Sequence, residues 1–155
     1  MYNDKTLSTQ ILENFNFEET KRKVKKYFIN LERLEWEWTK LNAQKGQIAN
    51  YDFMVELEKQ PYIPIGKDEF DLSTKENIEK ELKKYKSGYY WAKRFLSVKE
   101  QLYIEEYFIN RKFEDDLIDL LDFNYRDSYE FKKLKRSAIY KFASVLNLVV
   151  KNLKG

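Results

Sequence analysis

Residues 114–150 read EDDLIDLLDFNYRDSYEFKKLKRSAIYKFASVLNLVV, and the order of their parts decides the fold: a short acidic segment, a brief turn, then a long basic helix. In the last part Phe131, Leu134, Ala138 and Phe142, with Val145 or Leu146, recur at the spacing of one helix face. Asp127 and Glu130 stand three apart, which predicts a capping box at its start. With the apolar stripe turned inward, the opposite face presents Ser128, Tyr129, Lys132, Lys133 and Arg136. The preceding Glu114 to Asp122 holds Leu117, Ile118, Leu120 and Leu121 behind an acidic first turn, where the helix dipole favours negative charge. A short helix, a turn and a long basic helix form the plan of a helix-turn-helix DNA reader, whose second helix lies in the major groove.

Charge sharpens this expectation. The net charge of +3 is ordinary for a domain of this size, but its distribution is not. Residues 100–125 carry eight acidic and two basic side chains, and residues 126–155 carry eight basic and two acidic ones. Within the basic segment Arg126, Ser128, Tyr129, Lys132, Lys133, Lys135, Arg136 and Lys141 are the candidate DNA-binding residues. Arginine pairs bidentately with a guanine edge, so Arg136 is the first candidate for base contact, and the lysines are phosphate candidates. Glu114, Asp115 and Asp116 read in two ways: as a solvated helix face, or as a partner surface turned away from the duplex.

Moving towards the amino terminus, Ser97 and Glu100 form a second capping-box spacing, followed by Leu102, Ile104, Tyr107 and Phe108. Ser73 and Glu76 form a third, followed by Ile78, Leu82, Tyr85, Tyr89 and Ala92 at helical intervals. Pro61, Pro64 and Gly66 interrupt the chain before that point, after a short candidate helix over Tyr51 to Lys59. The expected division is therefore residues 1–72, a helical region with a proline-containing linker, and residues 73–155, a DNA-binding domain. In the first region Asn16 is a candidate N-cap, with Glu18 and Glu19 in the first turn and Gly46 closing the helix. Val24, Leu31 and Trp38 recur every seventh residue and Tyr27, Leu34 and Leu41 follow each by three, the seam of a helical hairpin. Trp36 falls off that seam and is a candidate partner-binding residue.

Lys133 to Ala143, followed by Leu146, resembles the recognition helix of the ArpU/RinA-like phage transcriptional regulators. Glu100 to Phe108 is similar to the helix that opens their DNA-binding domain, and Tyr62-Ile63-Pro64 resembles a proline-containing stretch they carry earlier. The resemblance spans residues 73–148 and is weak or absent before Tyr51. It implies a carboxyl-terminal domain similar to region 4 of bacterial sigma factors and activation of late genes in phages of Gram-positive bacteria. The chain departs from the family pattern at Asp119 or Leu121, at Asp127 with Ser128, and in the glycine-free turn Phe123-Asn124-Tyr125-Arg126.

Several chemistries are disfavoured. Cysteine and histidine are both absent, which removes disulfides, thiolate chemistry and the commonest general base and metal ligand. Asp115 and Asp116 point about 100° apart on a helix and face no nucleophile. The four glycines are scattered singly, so no phosphate-cradling loop is present. Tyr89, Tyr90 and Trp91 sit at helical spacing and read as core aromatics. No stretch reaches the roughly 18 apolar residues of a membrane span, and the polar start predicts a cytoplasmic location.

The expectation is an all-α protein: an N-terminal hairpin-like helical region and a C-terminal sigma-region-4-like helix-turn-helix domain. It is expected to be no enzyme and to need no metal or cofactor. It is expected to bind double-stranded promoter DNA and help recruit RNA polymerase, with a homodimer left open. The alternative is a protein-interaction module that uses Trp36, the seam or the acidic helix to bind a polymerase subunit or another phage regulator.

Overall fold

The computed structural model describes residues 7–44, 72–123 and 128–152. Among these residues the fold is all-α, with helices α1 (Thr9–Glu13), α2 (Phe17–Gln44), α3 (Lys75–Lys93), α4 (Val98–Ile104), α5 (Glu114–Leu120) and α6 (Tyr129–Val145). A π-helical segment, Glu105–Ile109, prolongs α4. The described β-structure is one antiparallel bridge between Phe15 and Lys151.

The chain forms two compact units, Met1–Lys25 with Ala92–Gly155, and Lys26–Trp91. This division differs from the expected one at residues 72 and 73. Pro61, Pro64, Gly66, Gly46 and the candidate helix at residues 51–59 lie outside the described residues. The first unit is discontinuous because the amino-terminal segment returns to the carboxyl-terminal one. The Asn16 amide donates to the Val150 carbonyl at 2.7 Å, and the Val150 amide donates to Thr20 Oγ1 at 3.0 Å. Phe15 meets the edge of Tyr140 at 5.1 Å between ring centres.

In that first unit α4 begins as its spacing predicts. The Glu100 amide donates to Ser97 Oγ and the Ser97 amide donates to Glu100 Oε1, closing a capping box. The buried residues that follow are Tyr103, Ile104 and Phe108, whereas Leu102 and Tyr107 are half-buried. Glu100, Tyr103 and Ile104 follow ordinary α-helical spacing, and the π-helical winding accounts for Phe108 in place of Tyr107: the Asn110 amide reaches back five residues to Glu105, so Tyr103 and Phe108 come to share one face. The start of α6 also differs. Its N-cap is Ser128, whose Oγ accepts from the Phe131 amide, and Asp127 lies outside the described residues. Phe131, Ala138, Phe142 and Leu146 are buried as the stripe requires, as are Leu117, Ile118 and Leu121, whereas Leu134 and Val145 are half-buried.

Both helices of this carboxyl-terminal pair stop without glycine. After α5 the Phe123 amide donates to the Ile118 carbonyl and the Asp122 amide to that of Asp119. After α6 the Leu148 amide donates to Ala143 and the Asn147 amide to Ser144. These are Schellman closures, and they place Asp122 and Asn147 at φ of 65° and 57°. Asp and Asn tolerate the left-handed region better than other side chains, which is how a glycine-free turn follows α5.

In the second unit the predicted seam is internal. Tyr27, Leu31, Leu34 and Trp38 are buried, with Ile78, Leu82 and Tyr85 of α3. Tyr27 and Tyr85 stack at 4.9 Å, Phe28 meets Tyr89 at 5.7 Å, and Lys86 pairs with Glu35 at 3.1 Å. The Tyr27 hydroxyl donates to the Tyr85 carbonyl. The cap of α3 is Thr74, not Ser73: Thr74 Oγ1 accepts from the Asn77 amide at 3.1 Å. At the start of α2, Asn16 Oδ1 accepts from the Glu19 amide as expected. Val24 of the seam is buried as well, and Leu41, its last residue, is half-buried.

Candidate nucleic-acid interface

The basic residues of α6 divide by position along the helix. In its first turns Tyr129 is 61% exposed, Lys132 is exposed, and Lys133 lies half-buried with its ammonium 5.9 Å from the Tyr129 ring centre. Ser128 is buried and its hydroxyl oxygen is committed to the helix cap, so it makes no outward surface. Arg126 lies outside the described residues.

Beyond that point the cations have partners inside the protein. Lys135 Nζ sits 3.2 Å from Glu114 Oε2 and 5.1 Å from the Phe131 ring centre. Lys21 approaches the same carboxylate at 3.9 Å and lies over Tyr107 at 4.9 Å. Arg136 Nε donates to the Leu12 carbonyl at 3.0 Å, and its guanidinium stacks over Phe17 at 4.9 Å and Phe15 at 5.5 Å. Lys141 is 8% exposed and pairs with Glu100 Oε1 at 2.7 Å. The Ser137 hydroxyl donates to the other oxygen of that carboxylate.

Three of the candidate DNA-binding cations, Lys135, Arg136 and Lys141, are therefore internal braces. The reason is steric. The segment around α1 and helix α4 pack on α6, and Glu114 of α5 reaches Lys135, so the cations of α6 left near the surface narrow to its first two turns. Lys141 carried a local signal, since it lies three residues from Ala138 and seven from Leu134, within the inward stripe. Arg136 had none, because its partners lie at the far end of the chain, Leu12 being 124 residues away.

The acidic candidates divide in the same way. Glu114 is held between Lys21 and Lys135 and is mostly covered, while Asp115 and Asp116 are exposed on the first turn of α5. Trp36, in the other unit, is 60% exposed.

Two titratable groups in the α4 region carry shifts. Burial, then the nearby Glu114 carboxylate, raises the Tyr103 phenol well above its usual range, and its hydroxyl is buried without a hydrogen-bond partner. The hydrogen bond from Lys112 lowers the Glu106 carboxyl, with Lys112 Nζ at 3.0 Å. An open cleft of about 370 Å³ is lined by Ile11, Phe15, Tyr140 and Val149 with Gln10, Asn14 and Lys151, a set with no carboxylate. Among the described residues no group of three or more metal-ligating acidic side chains comes together, and no helix is long and apolar enough to cross a membrane. Glu100 is the residue whose importance the spacing understated, because its cap role hid its second role as partner of Lys141.

Compared with known proteins, the chain matches no family model, no curated protein and no solved structure.

Proposed function

We propose that this chain is a DNA-binding transcriptional regulator of phage or mobile-element late genes, which binds promoter DNA and helps recruit RNA polymerase. The observation that carries the reading is the division of α6. Its first two turns keep Tyr129, Lys132 and Lys133 at the surface, while its remaining cations hold the helix in place. In this reading α5, the turn and α6 act as a helix-turn-helix, and Lys132 and Lys133 contact phosphates. Tyr129 supplies a hydroxyl for a phosphate or a ring for a base edge. Arg136 braces the reading helix and reads no base. The resemblance of α4 and α6 to the ArpU/RinA-like regulators supplies the biological setting.

Anisotropy titrations of labelled promoter duplex at several salt concentrations test the reading. Each phosphate contact adds roughly 0.9 to the logarithmic salt slope. The Lys132→Ala/Lys133→Ala variant is expected to flatten that slope by about 2. A slope equal to that of the unsubstituted protein refutes phosphate contact by α6.

A further inference from the structure

The cleft between α1 and the segment that follows α6 has the composition of a ligand site. Its volume is about 370 Å³, and Ile11, Phe15, Tyr140 and Val149 give it apolar walls. Helix α1 brings one wall: Gln10 and Asn14 stand four residues apart with Ile11 between them, on one side of the helix, while Leu12 is turned into the core. The carboxyl-terminal segment brings the other. The bridge from Phe15 to Lys151 and the 2.7 Å bond from the Asn16 amide to the Val150 carbonyl hold residues 149–151 against residues 15 and 16. Val149 and Lys151, two apart on this extended stretch, therefore face the same way. Both walls belong to one compact unit.

We infer that this cleft binds a small amphipathic acid, an apolar body ending in a single carboxylate. Its polar lining is Gln10, Asn14, the Tyr140 hydroxyl and Lys151, and among the described residues none of these four side chains forms a hydrogen bond or ion pair within the protein. Lys151 is exposed and is the charged residue of the lining, so it sets the sign of the ligand. An ammonium with no carboxylate beside it keeps its attraction for an incoming anion. The two amides and the phenol donate to the oxygens of the same head group. Apolar walls with a few unpaired polar groups, in a volume of about 300 to 1,000 Å³, are the usual make-up of small-molecule sites.

Size and charge decide between classes of occupant. Seven residues line the cleft, against about 20 to 30 a side in a stable protein interface, so a protein partner finds too little area. A polyphosphate brings several charges to one lysine, and a cation is repelled by it. Glu13, the acidic residue of α1, lies about 100° round the helix from Asn14 and is absent from the lining, so it does not cancel the lysine. Because the two walls come from the two segments joined at Phe15 and Lys151, a bound acid ties them together and stabilises the fold in proportion to its occupancy. The inference goes beyond the reading of α6 and does not depend on it, since Lys132 and Lys133 take no part in the cleft.

The test titrates the full chain with decanoate, decanol and decylamine, following backbone amides by NMR and the urea midpoint of unfolding. Decanoate is expected to bind more tightly than about 1 mM, to shift the amides of Ile11, Asn14 and Val149, and to raise the midpoint. Decanol is expected to bind several-fold more weakly, and decylamine more weakly still. Ile11→Trp and Val149→Trp fill the cleft from surface positions, and each is expected to weaken decanoate at least about 10-fold. Lys151→Glu is expected to weaken it several-fold and to reverse the order of decanoate and decylamine, with circular dichroism unchanged in all three variants. Four results each overturn the inference: decanoate binding weaker than about 1 mM, decanol or decylamine bound as tightly as decanoate, no shift at Ile11, Asn14 and Val149, or decanoate affinity kept by both cleft-filling variants. Self-association of the chain that Val149→Trp abolishes also overturns it, by giving the cleft to a second copy.

Discussion

Replacing Lys141 by methionine tests whether the carboxyl half of α6 is braced or free. The ammonium and the Glu100 carboxylate are 2.7 Å apart and 7% and 5% exposed, so neither is well hydrated. At an effective dielectric of about 20 their attraction is about 6 kcal/mol, most of which desolvation offsets. Lys141→Met removes the attraction and leaves the desolvation of Glu100, a loss of roughly 3 to 5 kcal/mol. Glu100→Gln/Lys141→Met removes both charges, while the side-chain carbonyl of the introduced amide still accepts from the Ser97 amide; the stability of this double variant is expected to lie within about 1.5 kcal/mol of the unsubstituted protein. With a urea slope of about 2 kcal/mol/M, the single variant unfolds about 2 M earlier and the double variant nearly in place. Under the proposed DNA-binding function, the double variant would also keep the salt slope of the unsubstituted protein, because Lys141 is buried against Glu100. A single variant as stable as the double, or a double variant with a flattened slope and intact stability, refutes the bracing argument.

Two further outcomes follow from buried or paired groups. Tyr103→Phe is expected to stabilise the protein by about 1 to 2 kcal/mol in the same urea assay, since it deletes a buried hydroxyl that has no partner; a loss of that size shows that the hydroxyl is bonded. Glu106 is more acidic folded than unfolded, so its contribution to stability is present above the ordinary carboxylate range and fades as pH falls through its lowered value. Stability measured from neutral pH down through the carboxylate range is expected to fall less steeply for Glu106→Gln, and identical curves refute the Lys112 contact.

The helices were legible because their signals are local. The stripe of Phe131, Ala138 and Phe142, the box of Ser97 and Glu100, and the seam of Tyr27, Leu31, Leu34 and Trp38 are statements about residues a few turns apart on one helix. What could not be read is where distant parts meet. Nothing near Arg136 announces that its partners are Leu12, Phe15 and Phe17, and no spacing rule marks the return of Val150 to Asn16. The caps that shifted, Thr74 for Ser73 and Ser128 for Asp127, moved by one residue because adjacent Ser, Thr and Asp compete for the same role. The π-helical turn escaped because α-helical periodicity assumes one winding throughout: it would continue the buried Glu100, Tyr103 and Ile104 to Tyr107, and the wider turn buries Phe108 instead.

The opposed charges of residues 100–125 and 126–155 take on a different meaning once they are placed. Read along the chain they suggest an acidic surface beside a basic one. Folded, Glu100 meets Lys141 and Glu114 meets Lys135, so part of the asymmetry is neutralised inside the unit. Those pairs also hold α6 in place. Most of a helix's stability in a protein comes from packing its apolar face, so the orientation of the 17-residue α6 depends on the elements that grip it. Arg136 on α1, Lys135 on α5 and Lys141 on α4 grip α6 from three directions, each through a charged group too costly to release into the core unpaired. The same grip leaves Lys132 exposed and Lys133 half-buried as the cations of α6 that it does not engage. Under the proposed DNA-binding function, a duplex would meet two lysines and a tyrosine at this end of α6, a surface that positions phosphates more than it discriminates bases, and sequence preference would come from Tyr129 or from the shape of the DNA.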